Sequence, residues 1–315
     1  MTEGFVEAWN GRLEGGYSHA KLEDDLRRLA ETYPFVRLER IGFSVLGRPI
    51  LAAVIGDGPV RVHANAAMHA NEWITAPLLV AFLEDLAESA VKGDVLCGKT
   101  GAELLRSATL HAVPMVNPDG VELVLRGAGP HHPRREDVLA MNGGSEDFSG
   151  WKANVRGVDL NDQFPAFWEE ERRRRQVDAP GPRDYPGPEP LSEPEAQALA
   201  QCVRLRRFHL VVALHTQGRE IYWNYRDMEP PEAASIAAAM GEASGLKPVR
   251  LEGSDAGFKD WFIAEFRRPG FTVELGSGEN PLPPAQFPSL YLELLPIMET
   301  ALTAVRIRRG KKRAP

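Results

Sequence analysis

Hydrophobic residues change their spacing along this chain, and each change predicts an element. Leu22, Leu26 and Leu29 recur at three- and four-residue intervals, Ser18 stands where a hydroxyl can cap the first turn, and Pro34 closes the segment, so a helix is predicted there. Residues 36–45 and 49–55 are strand-like runs around Leu46-Gly47, which predicts a hairpin. Four short apolar runs follow, at residues 60–66, 108–115, 210–214 and 271–273, separated by helix-like segments such as residues 73–90 and 193–207. Strands alternating with helices predict an α/β fold, with a parallel or mixed sheet covered on both faces.

Polar residues gather where these apolar runs stop. Residues 60–66 lead into His69 and Glu72, residues 108–115 into Asn117-Pro118-Asp119-Gly120, residues 210–214 into His215, and residues 271–273 into Glu274. In open α/β sheets ligands bind beyond the carboxyl ends of the strands, so four distant stretches converge on one crevice. Residues 164–190, rich in Pro, Gly and Arg and containing the run Arg172 to Arg175, predict a long surface excursion at its rim. No internal repeat is visible.

Composition narrows the partner. With 315 residues, 43% hydrophobic and 26% charged, the chain can bury a full core. A net charge of -7 argues against a nucleic-acid surface, so a small substrate is expected. Cys97 and Cys202 are far apart and form no metal-binding or disulfide pattern, and both are expected to be reduced packing residues. Residues 1–13 contain no apolar run of signal-peptide length, and no stretch reaches membrane-spanning length, so a cytoplasmic location without membrane contact is expected.

A catalytic zinc takes three ligands from imidazole and carboxylate and keeps a fourth position for water. His69, Glu72 and His215 supply such a set, two from a short His-x-x-Glu and one from a distant strand end. Glu274 then remains as the carboxylate that would take the water's proton and pass it to the leaving amine. Alone, His-x-x-Glu is a weak signal, common on helix surfaces; its place after a strand, with His215 and Glu274 at equivalent ends, is what raises it.

Together these residues resemble the zinc carboxypeptidase family (peptidase M14), whose prototype carboxypeptidase A holds zinc with two histidines and a glutamate. Ile41-Gly42-x-Ser44-x-x-Gly47-Arg48-Pro49-Ile50, His69-Ala-Asn-Glu72, Asn117-Pro118-Asp119-Gly120, Gly157-Val158-Asp159-Leu160-Asn161, His215 and Glu274 occur in the family's order, from Ser18 to about Leu302. The resemblance implies one domain, residues 1–307, with a mixed eight-stranded sheet between helices, one zinc ion, and a basic tail at residues 308–315. It also implies Asp159 as the acceptor that orients His69. A basic residue upstream of the Gly-x-Asp-x-Asn motif is implied to hold the oxyanion, and both Lys152 and Arg156 qualify.

One position departs from the digestive members, which read a terminal carboxylate with an Asn-Arg pair: here Asn161 is followed by Asp162. An aspartate cannot make the bidentate pair that suits a carboxylate. The stretches around His215 to Trp223, Asp159 to Pro165 and Gly257 to Trp261 resemble instead the γ-D-glutamyl-L-diamino acid endopeptidase branch, which cuts bacterial cell-wall peptides. That resemblance implies a muropeptide substrate, with Asp162 meeting the ammonium of diaminopimelate, Lys259 a carboxylate, and Asn161 and Tyr222 lining the site. Tyr222, Trp223 and Trp261 also suit plain packing, Asp260 a helix cap, and the arginine run a solvated face that could attract acidic muropeptides. The alternatives are a metallocarboxypeptidase releasing terminal amino acids, a small-molecule deacylase, and a peptide-binding protein without turnover. A structural zinc site would want four closed ligands, and none are visible.

Overall fold

The computed structural model describes residues 3–310. A helix α1 (Glu3–Leu13) precedes the first one expected, α2 (His19–Thr32), whose N-terminus is capped as anticipated by Ser18, with the Lys21 amide donating to its Oγ at 3.3 Å. Strands β1 (Arg37–Phe43) and β2 (Pro49–Ile55) form the hairpin. Its turn closes through the Ser44 amide on the Arg48 carbonyl, and Gly47 takes φ +82°, a left-handed conformation that costs glycine nothing.

Then come β3 (Val60–Asn65), α3 (Thr75–Lys92), α4 (Gly101–Ser107), β4 (Ala108–Val113), α5 (Pro118–Arg126) and α6 (Arg135–Met141). The second half holds α7 (Trp168–Arg175), α8 (Pro194–Arg206), β5 (Leu210–His215), β6 (Glu220–Tyr222), α9 (Glu232–Ser244), β7 (Lys247–Val249), α10 (Phe258–Phe266), β8 (Gly270–Glu274) and α11 (Phe287–Gly310). Three expectations change. The excursion at residues 164–190 contains α7, the apolar run ending at Met115 is strand only to Val113, and Cys97 is exposed instead of packed. Of the expected tail at residues 308–315, the first three continue α11 and residues 311–315 lie outside the described residues.

The eight strands form one sheet in the order β1-β2-β4-β3-β5-β8-β6-β7. Its centre, β4-β3-β5-β8, is parallel, while β1, β2 and β6 are added antiparallel. This is the mixed eight-stranded sheet that the resemblance implied. Alternation along β5 explains its unbroken apolar sequence: Val212 and Leu214 enter the core beneath α2, α3, α9 and α11, and Val211 and Ala213 the core beneath α8 and α10. Each large aliphatic side chain so buried contributes about 1.5–3 kcal/mol. Parallel pairing sets the carboxyl ends of the central strands side by side, with His215 of β5 in register with Glu274 of β8. Among the described residues no helix is long and apolar enough to cross a membrane.

Candidate active site

Beyond Asn65 the chain leaves β3 and tightens into a 3-10 turn, Ala70–Glu72, in which the Glu72 amide donates to the His69 carbonyl at 3.2 Å. Residues three apart eclipse in such a turn, so the His-x-x-Glu spacing aims both side chains at one point. The turn is braced by its surroundings. Thr75 donates its hydroxyl to the Glu72 carbonyl at 2.8 Å and accepts from the Ala67 amide, and Asn117 Nδ2 reaches the Met68 and Ala153 carbonyls. Gly120 follows from this packing, since a Cβ there would come within 2.7 Å of both the Asn117 side chain and the Ala153 carbonyl. Asp119 accepts from the Leu46 amide and pairs with Arg48, tying the hairpin turn to α5.

His215 arrives from the end of β5. Its Nδ1 lies 3.1 Å from His69 Nδ1 and 2.8 Å from Glu72 Oε2, while Glu72 Oε1 lies 2.8 Å from His69 Nδ1. His69 Nε2 faces Asp159 Oδ1 at 3.1 Å, and a carboxylate there draws the ring proton to Nε2, leaving a lone pair on Nδ1. Two ring nitrogens and a carboxylate thus converge, all buried, with their ligand atoms within 4.8 Å of one another. Such a meeting of acceptors fits a bound cation, and two imidazoles with one carboxylate is the donor set of hydrolytic zinc. Burial opposes a proton on both rings: at His69 the charges of Glu72 and Asp159 outweigh it and lift the pKa to about 9, while at His215 burial prevails and lowers it.

Asp159 also meets Lys152, whose Nζ lies 3.0 Å from Oδ2. Burial works against the Lys152 charge, but Asp159, Glu72 and Asp162 more than offset it and hold the ammonium above its usual range. Arg156 is not brought to this cluster; it is half exposed and faces Glu193 at 3.6 Å. Burial, reinforced by the charge of Glu72, pushes Glu274 up to about 8. Glu220 of β6 stands opposite Glu274 in register and accepts from the Tyr222 hydroxyl at 2.8 Å.

Asn161 and Asp162 follow Asp159 in a 3-10 turn, Leu160–Asp162. Asn161 Oδ1 accepts from the Phe258 amide at the start of α10. Asp162 is buried against Arg175 of α7, whose Nη2 and Nε lie 3.0 and 2.9 Å from its two oxygens. Burial and neighbouring Asp159 push Asp162 up to about 7 although Arg175 and Lys152 pull the other way. Lys259, expected to meet a substrate carboxylate, is itself buried: Nζ donates to the Asn224 carbonyl at 2.7 Å and to Asp260. Asp260 also accepts from the Gly257 amide, capping α10. Trp261 packs against Phe164 in the core.

Sequence reasoning missed four contributors. Arg175 and Arg174 were part of a run that reads as a solvated face, yet Arg174 pairs with Asp255 and Glu171, and Arg175 with Asp162. Asn280 grips Thr216, the residue after His215, through both its amide nitrogen and oxygen. Glu220 is visible only through pairing. Their contacts with Asp162, Asp255, Thr216 and Glu274 leave no local signal, because each spans more than 10 residues of sequence.

The chain was compared with known proteins. It is 47% identical over 286 residues to γ-D-glutamyl-L-diamino acid endopeptidase 1 of Lysinibacillus sphaericus, spanning 91% of this chain and 72% of that protein. It is 43% identical over 279 residues to the uncharacterised protein YqgT of Bacillus subtilis, spanning 87% and 74%. Among solved structures, bovine thrombin-activatable fibrinolysis inhibitor, in complex with tick carboxypeptidase inhibitor, superposes with a TM-score of 0.73 at 18% identity, covering 93% of this chain and 98% of that one, which speaks for the fold alone. The family model for zinc carboxypeptidases, peptidase M14, matches residues 22–296, and the chain therefore belongs to that family of zinc-dependent peptide hydrolases.

Proposed function

We propose that this chain hydrolyses the γ-D-glutamyl bond to a diamino acid in bacterial cell-wall peptides. The observation that carries this reading is its 47% identity, along 91% of its length, to an endopeptidase named for that bond. Residue 162 supports it too: where digestive relatives offer a bare arginine to a peptide C-terminus, this chain has a buried aspartate already paired with Arg175.

His69, Glu72 and His215 would hold zinc, which supplies Lewis acidity when bound, acidifying water and polarising a carbonyl. Glu274, beside His215 on the adjoining strand, takes the proton of the attacking water and returns it to the departing amine. Glu274 is only partly buried at its strand end, so the water it deprotonates can reach it. Lys152 donates to the oxygen that gains charge as the carbonyl is attacked, and Asp159 holds both Lys152 and His69 in place. Asn161 and Tyr222 stand on the side of the leaving residue, where buried Asp162 holds Arg175.

One observation favours the carboxypeptidase alternative: Arg175 returns a guanidinium to the neighbourhood of Asp162. Mass spectrometry of L-Ala-γ-D-Glu-meso-diaminopimelate and its D-Ala-extended form separates the two, with zinc-loaded protein and Glu274→Gln as control. Release of L-Ala-D-Glu from both peptides by the wild type, and a loss of at least about a hundredfold in the control, is the expected result. Release of the terminal residue alone would establish the carboxypeptidase reading instead.

A further inference from the structure

Nothing in the hydrolytic steps uses Arg175, yet its setting is built with care. It is the last residue of α7 and reaches back to a buried carboxylate beside Asp159, which in turn touches His69 and Lys152. One edge of the guanidinium, carrying Nε and Nη2, lies along Asp162 at 2.9 and 3.0 Å, and Glu171 Oε1 stands 2.8 Å from Nε. The other edge, carrying Nη1 and the second N–H of Nη2, has a single acceptor among the described residues, Asp184 Oδ1 at 3.4 Å. That distance is beyond the usual range of an N–H to oxygen bond, and Asp184 is about a third exposed.

Two N–H groups on one edge of a fixed guanidinium match the two oxygens of a carboxylate. Charge decides what that carboxylate must bring with it. Asp162, Glu171 and Asp184 face Arg175 while Arg174 answers Glu171, so three carboxylates stand against two arginines and a purely anionic group would add to a negative excess. A group carrying an ammonium beside its carboxylate adds none. The far end of diaminopimelate is such a group, whereas lysine ends in an ammonium alone.

We infer that Arg175 and Asp184 form the subsite that distinguishes diaminopimelate from lysine in the leaving residue, Arg175 taking the far carboxylate on its outer edge and Asp184 the ammonium on the same carbon. This deepens the proposed function and rests on it. The carboxylate-reading part expected of Lys259 falls to Arg175, whose outer edge is open, while the Lys259 ammonium is held by Asn224 and Asp260. Asp162 is then a positioning residue that fixes the guanidinium.

The test compares kcat/KM for L-Ala-γ-D-Glu-meso-diaminopimelate with that for the same peptide ending in L-Lys, using zinc-loaded full-length wild type, Arg175→Met, Arg175→Lys and Asp184→Asn. The wild type is expected to prefer diaminopimelate by about tenfold or more, since a site built to bond a polar group rejects the analogue that lacks it. In Arg175→Met that ratio falls to within about twofold of unity, chiefly through a higher KM for the diaminopimelate peptide. Arg175→Lys keeps the charge but not the fork and retains less than half of the preference. Should the Met variant fail to fold, the Lys and Asp184 variants carry the same ratio. A ratio unchanged across the variants, or absent in the wild type, overturns the subsite while leaving the endopeptidase reading intact. Failure of the wild type to cut either peptide overturns the endopeptidase reading, and the subsite with it.

Discussion

Lys152 and Arg156 are four residues apart and both basic, yet only one of them meets the acidic cluster around His69. The reason is local. Asp159 draws Lys152 inward, while Arg156 lies beside Glu193 on a half-exposed flank. Replacing Lys152 with Met is expected to lower kcat by about 10²–10³, the usual cost of a lost oxyanion donor. Arg156→Met should stay within about twofold of wild type, since a partly exposed ion pair contributes little. The opposite ranking in a steady-state assay would return the role to Arg156. Asp159→Asn tests the other half of the arrangement. Zinc affinity, read by competition with a chelator, should weaken by about 10–100-fold, because the acceptor that strengthens His69 as a ligand is gone. An unchanged affinity would mean that Asp159 serves only as a turn residue. At this scale the sequence pointed to groups that the fold brings together: a histidine or glutamate that ends an apolar run stands out, whereas a guanidinium arriving from a surface helix does not.

Elements matter here through their ends. The motif Gly47-Arg48 and the motif Asn117-Pro118-Asp119-Gly120 lie some seventy residues apart in sequence and join through Arg48 and Asp119. Beside them, Glu195 in the first turn of α8 is fully buried and accepts from the Val45 amide at 3.0 Å, so α8 also grips the hairpin turn. Burial, with Asp119 and Glu193 adding to it, pushes Glu195 up to about 7 from an ordinary 4.5. A carboxyl whose folded value lies above its unfolded one binds more protons when folded. Its contribution is therefore complete below pH 4.5 and is lost as pH rises through about 7. Glu195→Gln cannot ionise, so its stability relative to wild type should rise between about pH 4.5 and 7 and level off above, by on the order of 2–4 kcal/mol. Urea denaturation at several pH values measures this, and a difference that is flat with pH would mean that Glu195 titrates normally. No periodicity in α8 announces such a residue. A helix pattern says which positions face inward, not that one of them is an acid holding a neighbouring turn.

Across the whole molecule the site ties together stretches that lie far apart in sequence. His69 follows β3 and His215 ends β5, 146 residues later, and their ring nitrogens lie 3.1 Å apart. A cation bound there links the two halves of the sheet in the folded state only, so it stabilises by mass action, about 4 kcal/mol when its concentration is a thousand times its Kd. Chelation should therefore lower Tm by several degrees, with recovery on adding zinc, and His215→Ala should abolish the difference between the two conditions. Equal Tm values with and without chelator in the wild type would separate the metal from stability.

How far the sequence reached follows from the range of the forces involved. Periodicity and strand-end polarity are local, so the α/β class, the central strands, the hairpin, the cap at Ser18 and the grouping of His69, Glu72, His215 and Glu274 could be read before any coordinates. The short strands β6 and β7, the helix inside residues 164–190, and the partners of Asp162 and Lys259 could not. Those depend on which surfaces meet after the sheet closes and on which carboxylate each buried cation finds there. By itself the sequence determined which residues could do chemistry. Only the tertiary structure decided, by bringing some charges together out of water and leaving others facing it, that Lys152 lies at the centre, that Arg156 does not, and that an arginine from α7 stands where Asp162 alone was expected.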